Sequence, residues 1–228
     1  MGQQDISEIL RYYAEKQFEL EQFLVAVETF FRRHPRLNQK PFPIIHSVRS
    51  RFKDADHLRD KIIRKQKKGE AVDKTNLFTK VNDLIGVRLL HLYQDQFPEI
   101  HNELNSKITS GDWAFVESPK AFTWDPESEK HYKKLGIATE LKDTFYTSVH
   151  YVIKPNNDNP VCCEIQVRTL FEEIWGEIDH TINYPYPTES IACKEQLRVL
   201  SKLVSTGTRL ADAIFRSDAD HKQSKRLS

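Results

Sequence analysis

The sequence predicts an α+β fold with helical extensions at both ends. Three observations carry this. Apolar residues recur at three- and four-residue steps near both termini, short β-rich runs fill the middle, and strands and helices follow no repeating alternation.

Residues 5–34 read as one helix, with Ile6, Ile9, Leu10, Tyr13, Leu20, Leu24, Val27 and Phe31 on its stripe. Pro35, Pro41 and Pro43 end it and mark a linker, so residues 1–43 form an N-terminal extension. Residues 44–53 look extended. Asp54 can cap a basic helix that runs to Lys68 and stops at Gly69. Residues 84–93 form a buried strand, and Pro98 opens a helix that ends before Gly111. Residues 112–141 show no clear period. The β-rich runs 145–154 and 161–169 flank the turn cluster PNNDNP and predict an antiparallel hairpin. Residues 170–182 are helical until Pro185 and Pro187, which closes a central domain at 44–184. Residues 190–215 form a last helix with Leu197, Leu200, Leu203, Val204 and Leu210, assigned to a 185–216 extension, and a polar, mobile tail is expected over 217–228.

The 228 residues are enough to bury a core, and 39% hydrophobic with 29% charged residues is a globular composition. A net charge of +1 excludes a uniformly basic coat for nucleic acid. No apolar run approaches the roughly 20 residues of a membrane span. The polar N-terminus does not read as a signal peptide, and three cysteines without a C-x-x-C argue for a reduced, cytoplasmic compartment and against zinc. The seven glycines are scattered, so nucleotide binding would proceed without a glycine loop.

Strand alternation places the chemistry. Arg49, Arg51 and Lys53 share one face; so do Tyr146, Ser148 and His150, and so do Glu164, Gln166 and Arg168. A half-buried sheet always has a polar face. Here that face is dominated by Arg, Gln, His and Tyr, which hydrogen-bond ligands, and not by the Lys, Glu and Thr of a solvated one. Segment 49–68 holds nine Lys/Arg against three Asp, and Arg51, Lys53, Lys61, Arg64 and Lys65 are placed to grip a polyphosphate. Arg59, Lys67 and Lys68 read as solvated helix charges. Asp83 and Glu164 are the candidates for metal ligand and base, because Mg²⁺ needs one or two carboxylates and keeps its waters. Arg88 follows Asp83 by five residues, so Asp83 lies outside the strand or a bulge intervenes.

The run Arg51-Phe-Lys53-x-x-x-His57-Leu58-x-x-Lys61 resembles the first signature of the RelA/SpoT family's alarmone synthetase domain. Asp83-Leu-Ile-Gly86-Val-Arg88, Tyr146-Thr-Ser148-Val-His150, and Glu164-Ile-Gln166-Val-Arg168-Thr169 with Trp175 and His180 resemble its later motifs, in the family's order. The resemblance implies a nucleotidyltransferase-like mixed sheet flanked by helices. It implies a GTP/GDP pyrophosphokinase: ATP donates its β,γ-pyrophosphate to the 3′-hydroxyl of GDP or GTP. Arg49, Arg51, Lys53, Lys61 and Arg88 would bind ATP, Asp83 and Glu164 would hold Mg²⁺, and Glu164 would alternatively accept the hydroxyl proton. Tyr146 would stack on the acceptor base, with His150, Gln166 and Arg168 lining the same pocket.

The family's glycine before the tyrosine is Phe145 here, its following basic residue is Thr147, and the serine of its first signature is His57. Some small family members are toxins acting on adenosine nucleotides or tRNA 3′ ends, and the loss at Thr147 fits such a shift. Glu173 bears on the choice, since a carboxylate there would accept from guanine N1–H and N2–H₂. No His-Asp dipeptide of the family's hydrolase domain occurs, so a small synthesis-only enzyme is expected, with terminal helices serving oligomerisation. A catalytically inactive nucleotide sensor is the remaining alternative; the presence of both Asp83 and Glu164 argues against it.

Overall fold

The N-terminal periodicity folds as two helices, α1 (Gln3–Glu15) and α2 (Gln17–Arg33), in place of the one expected over 5–34. The chain bends at Lys16, where φ is −91° and ψ is 0°. The bend lets α1 pack on the basic helix α3 (Ala55–Lys67), while α2 buries Leu20, Phe23, Leu24, Val27 and Phe31 against the sheet. The computed structural model describes residues 3–184 and 186–227, and no side chain of residues 3–5, 226 or 227 is described. No helix among these residues is long and apolar enough to cross a membrane.

Six strands make one mixed sheet in the order β1-β2-β6-β5-β3-β4. β1 (Ser47–Phe52) runs antiparallel to β2 (Ile85–His91), and β2 runs parallel to β6 (Cys163–Thr169). β6 pairs antiparallel with β5 (Ser148–Pro155), as the PNNDNP hairpin required. β5 pairs antiparallel with β3 (Trp113–Thr123), and β3 pairs parallel with β4 (Ala138–Leu141). The segment without a readable period is thus β3, α6 (Pro126–Lys134) and β4. β3 carries Pro119, which lacks a ladder N–H, and its register shifts on both sides of Glu117. Those shifts erase the alternation a sequence reading relies on.

One sheet face packs on α2, α3 and α5 (Phe97–Thr109) through a core that includes Val87, Leu89, Val149, Tyr151, Ile165 and Val167. A short helix α4 (Leu77–Lys80) leads into β2. α7 (Leu170–Asn183) follows β6 directly, capped by Thr169, and meets α8 (Ile191–Leu227). The Trp175 Nε1–H donates to the Leu197 carbonyl at 3.0 Å, joining the two helices. The polar tail expected beyond 216 is helical. It holds no Gly or Pro, and Lys222 pairs with Asp218 one turn back at 2.6 Å.

Candidate functional site

The other face of the sheet is polar, and strand register assembles it. Arg49 lies opposite Arg88, Arg51 opposite Gly86, Gly86 beside Glu164, Arg88 beside Gln166, and Gln166 opposite His150. The residues singled out on separate strands therefore share one surface. Arg49, Arg51, Gly86, Arg88, Glu164 and Gln166 line a cleft of about 200 Å³.

Asp83 organises the basic half. It lies just outside β2, the first of the two placements expected for it. Lys53 Nζ reaches its Oδ2 at 2.8 Å, Lys61 Nζ reaches its Oδ1 at 2.7 Å, and Arg51 is 3.9 Å away. Asp54 positions Lys61 by capping α3 through the Asp56 and His57 amides. Burial works to raise the Asp83 carboxyl, but the Lys61 and Lys53 charges hold it at about 2. Burial lowers the Lys53 ammonium, and Asp83 opposes that. Lys65 pairs instead with Glu70 at 2.7 Å, and Arg64 reaches the Asp60 carbonyl, so neither joins this cluster.

Glu164 organises the aromatic half. His150 Nδ1 lies 3.1 Å from its Oε1, and Gln166 Nε2 donates to its Oε2 at 2.8 Å. A carboxylate only accepts, so His150 carries its proton on Nδ1. Its Nε2 lies 2.9 Å from the Tyr146 hydroxyl oxygen. Burial raises the Glu164 carboxyl, the His150 bond and charge lower it, and Asp83 raises it again; the balance lies below the ordinary value. Arg168 is 4% exposed, with its guanidinium carbon 5.8 Å from the Tyr146 ring centre.

Glu173 joins the halves. Its Oε1 lies 2.8 Å from Arg88 Nη1 and 3.2 Å from Arg49 Nη1, and its Oε2 lies 2.9 Å from Arg168 Nε. In this state its oxygens face arginines rather than open space. Arg168 fits against α7 because residue 176 is glycine: a Cβ there would stand 2.5 Å from Arg168 Nη1.

Three departures from the family pattern have visible consequences. Phe145 adopts φ +62°, the left-handed region that glycine enters freely. Thr147 is buried, 3.3 Å from Thr123 Oγ1, just ahead of β5. His57 lies 6.0 Å from the Tyr184 ring, edge to face.

Sequence reasoning missed Lys120, Phe122 and Lys142. Phe122 pairs with Ser148, and its ring meets His150 edge-on at 4.8 Å. Lys142 Nζ lies 4.5 Å and Lys120 Nζ 5.9 Å from that ring's centre, and both lysines pair with Glu140. Lys142 stands four residues before Tyr146, and that spacing was the available signal. Lys120 and Phe122 come from the strand whose period is broken.

No cluster of three His, Cys, Asp or Glu side chains able to hold a metal occurs among the described residues. Asp83 and Glu164 are nonetheless of the kind Mg²⁺ takes, one or two carboxylates with the remaining positions left to water and phosphate oxygen, and Asp83 works to raise the Glu164 carboxyl as a like charge does.

Residues 50–189 match the family model described as the region found in RelA/SpoT proteins. No curated protein is a significant sequence match. The fold resembles Bacillus subtilis small alarmone synthetase 1 bound to its product pppGpp, with 19% identity, TM-score 0.70 and coverage of 92% of this chain and 99% of that one. The same protein bound to AMPCPP matches with 19% identity, TM-score 0.61 and coverage of 92% and 95%. A GTP pyrophosphokinase family protein from Streptococcus pneumoniae matches with 20% identity, TM-score 0.67 and 98% coverage of both chains. With the family model spanning most of the chain, the protein belongs to the RelA/SpoT family, and it shares its fold with the small alarmone synthetase structures.

Proposed function

We propose that the protein transfers the β,γ-pyrophosphate of ATP to the 3′-hydroxyl of GDP or GTP. The observation that carries this is the continuous face on which Asp83 and Glu164 lie between a basic clamp and the Tyr146 platform. The likeness to proteins holding pppGpp and AMPCPP supports it. Arg49, Arg51, Lys53, Lys61 and Arg88 hold the donor, with guanidinium taking phosphate bidentately. Tyr146 stacks on the acceptor base, with His150, Gln166, Arg168 and Glu173 around it. Lys120 and Lys142 supply positive charge on this side, where Thr147 does not.

The acceptor 3′-oxygen bonds to the β-phosphorus, the α–β phosphoanhydride breaks, and AMP leaves. The hydroxyl proton passes to Glu164, which is ionised at neutral pH and fixed by His150 and Gln166. Asp83 and Glu164 would hold Mg²⁺, which neutralises charge developing on the phosphoryl oxygens. Asp83→Ala or Glu164→Ala should reduce transfer by at least about 10²-fold, the size of a lost charge-stabilising group, with the thermal melt retained. Near-wild-type turnover in either variant would remove that residue from the centre.

The burial of Thr147 favours a second reading, a toxin-type enzyme acting on adenosine nucleotides or tRNA. One experiment separates the two: γ-labelled ATP and Mg²⁺ with GDP, GTP, ATP or tRNA in turn. Label in guanosine nucleotides is expected. Label in tRNA or adenosine products establishes the second reading, and no transfer to any acceptor refutes both. We also propose that a second copy of the chain packs on α7 and α8, where Ile174, Ile178, Val199, Leu203 and Leu210 are exposed.

A further inference from the structure

Glu173 is 4% exposed, and three guanidiniums converge on it. Arg49 and Arg88, from the donor half, meet Oε1. Arg168, from the acceptor half, meets Oε2. The Oε2 contact is short but misaligned: Arg168 Nε and Glu173 Oε2 lie 2.9 Å apart, yet both are buried without a hydrogen bond. Two buried charged groups gain most when they are aligned as well as near, so this contact is held short of its optimum. Arg88 has a second partner, Glu177, at 2.6 Å. No contact joins Glu177 to Arg168 among the ion pairs of the described residues.

We infer that Glu173 is a positioning residue that couples the donor site to the acceptor site by competing with donor phosphates for Arg88 and Arg49. The inference rests on the donor and acceptor assignment proposed above. A polyphosphate draws guanidinium groups into bidentate pairs and away from Oε1. Of its three arginines, Glu173 then keeps Arg168. A buried carboxylate left with one cation pairs closely with it, because an uncompensated buried charge is strongly unfavourable. The Nε–Oε2 contact closes into an aligned hydrogen bond, and the Arg168 guanidinium is fixed beside the Tyr146 ring. Donor binding thereby prepares the acceptor platform. By linkage, the acceptor raises donor affinity by the same factor.

The test is calorimetric titration of GDP into the full chain, alone and with saturating AMPCPP, whose α–β methylene bridge blocks transfer. The readout is the ratio of the two GDP affinities. In the wild type the analogue should raise GDP affinity at least about fivefold, the lower end of ordinary coupling. In Glu173→Gln the ratio should fall below about twofold, since an amide carries no charge and keeps an acceptor oxygen for only one side of the arginine ring. Glu173→Asp keeps the charge but falls one methylene short, and should show the same loss if the glutamine variant does not fold. Glu177→Gln should keep a ratio within about twofold of wild type. A merely structural role for Glu173 would weaken both titrations and leave their ratio unchanged. A wild-type ratio of one, or a wild-type ratio in folded Glu173→Gln, overturns the coupling and leaves the site assignment standing. A wild type that binds AMPCPP but never GDP overturns the guanosine assignment beneath it.

Discussion

Phe145 holds a conformation that costs a bulky L-residue about 1–2 kcal/mol and is retained because its ring packs edge-on against Trp124 at 5.3 Å. Phe145→Ala loses the ring and keeps the strain. Phe145→Gly loses the ring and relieves the strain. The glycine variant should therefore melt higher than the alanine variant, reversing their usual order, and an alanine variant melting higher would show that the backbone relaxes. Glu172 makes a second residue-scale prediction. The Thr169 N–H donates to it at 2.7 Å, and burial pushes its carboxyl up to about 7 from 4.5. The folded state thus keeps a proton the unfolded chain has lost, so this group removes stability as pH rises from 4.5 towards 7. Glu172→Gln keeps an oxygen for the Thr169 amide and cannot ionise. It should gain on the order of 2 kcal/mol over wild type between pH 5 and pH 8 in urea melts. An unchanged pH dependence would mean the carboxyl is solvated.

Helix α7 carries residues of both halves of the site, and its glycine shows how an element serves two demands. Gly176→Ala should favour the helix by up to about 1 kcal/mol, yet the new methyl would meet Arg168 Nη1. We expect an unchanged or raised melting temperature with roughly tenfold weaker acceptor binding; unaltered binding would show that Arg168 gives way freely. Elements with one strong local signal were legible in the sequence: Asp54 capping α3, the proline-bounded α5, and the hairpin of β5 and β6. The site was legible where strand alternation holds, as in Glu164, Gln166 and Arg168. It was not legible in β3, where Pro119 and two register shifts break the period and hide Lys120 and Phe122. Nor does spacing reveal that Glu173 is ringed by arginines, because its three partners come from β1, β2 and β6. The bend at Lys16 and the helical tail were missed for a related reason: what α1 and α2 pack against decides the first, and continuation of an existing helix decides the second.

At the scale of the molecule, the exposed apolar side chains of α7 and α8 form the surface to test for self-association. Leu203→Glu with Leu210→Glu should halve the mass seen in sedimentation at micromolar protein, and a wild type that sediments as a monomer would refute the proposal. The strand order has another consequence. β6 is the last strand made, yet it lies between β2 and β5. A ribosome working at about 5–20 residues per second thus releases two partial sheets, β1–β2 and β5–β3–β4, before the strand that joins them. Asp83 emerges with the first and Tyr146 with the second, while Glu164 arrives in the joining strand itself. The cleft has no half-built form: a nascent chain halted before residue 163 holds most of the basic cluster and the Tyr146 ring, but no surface on which they meet.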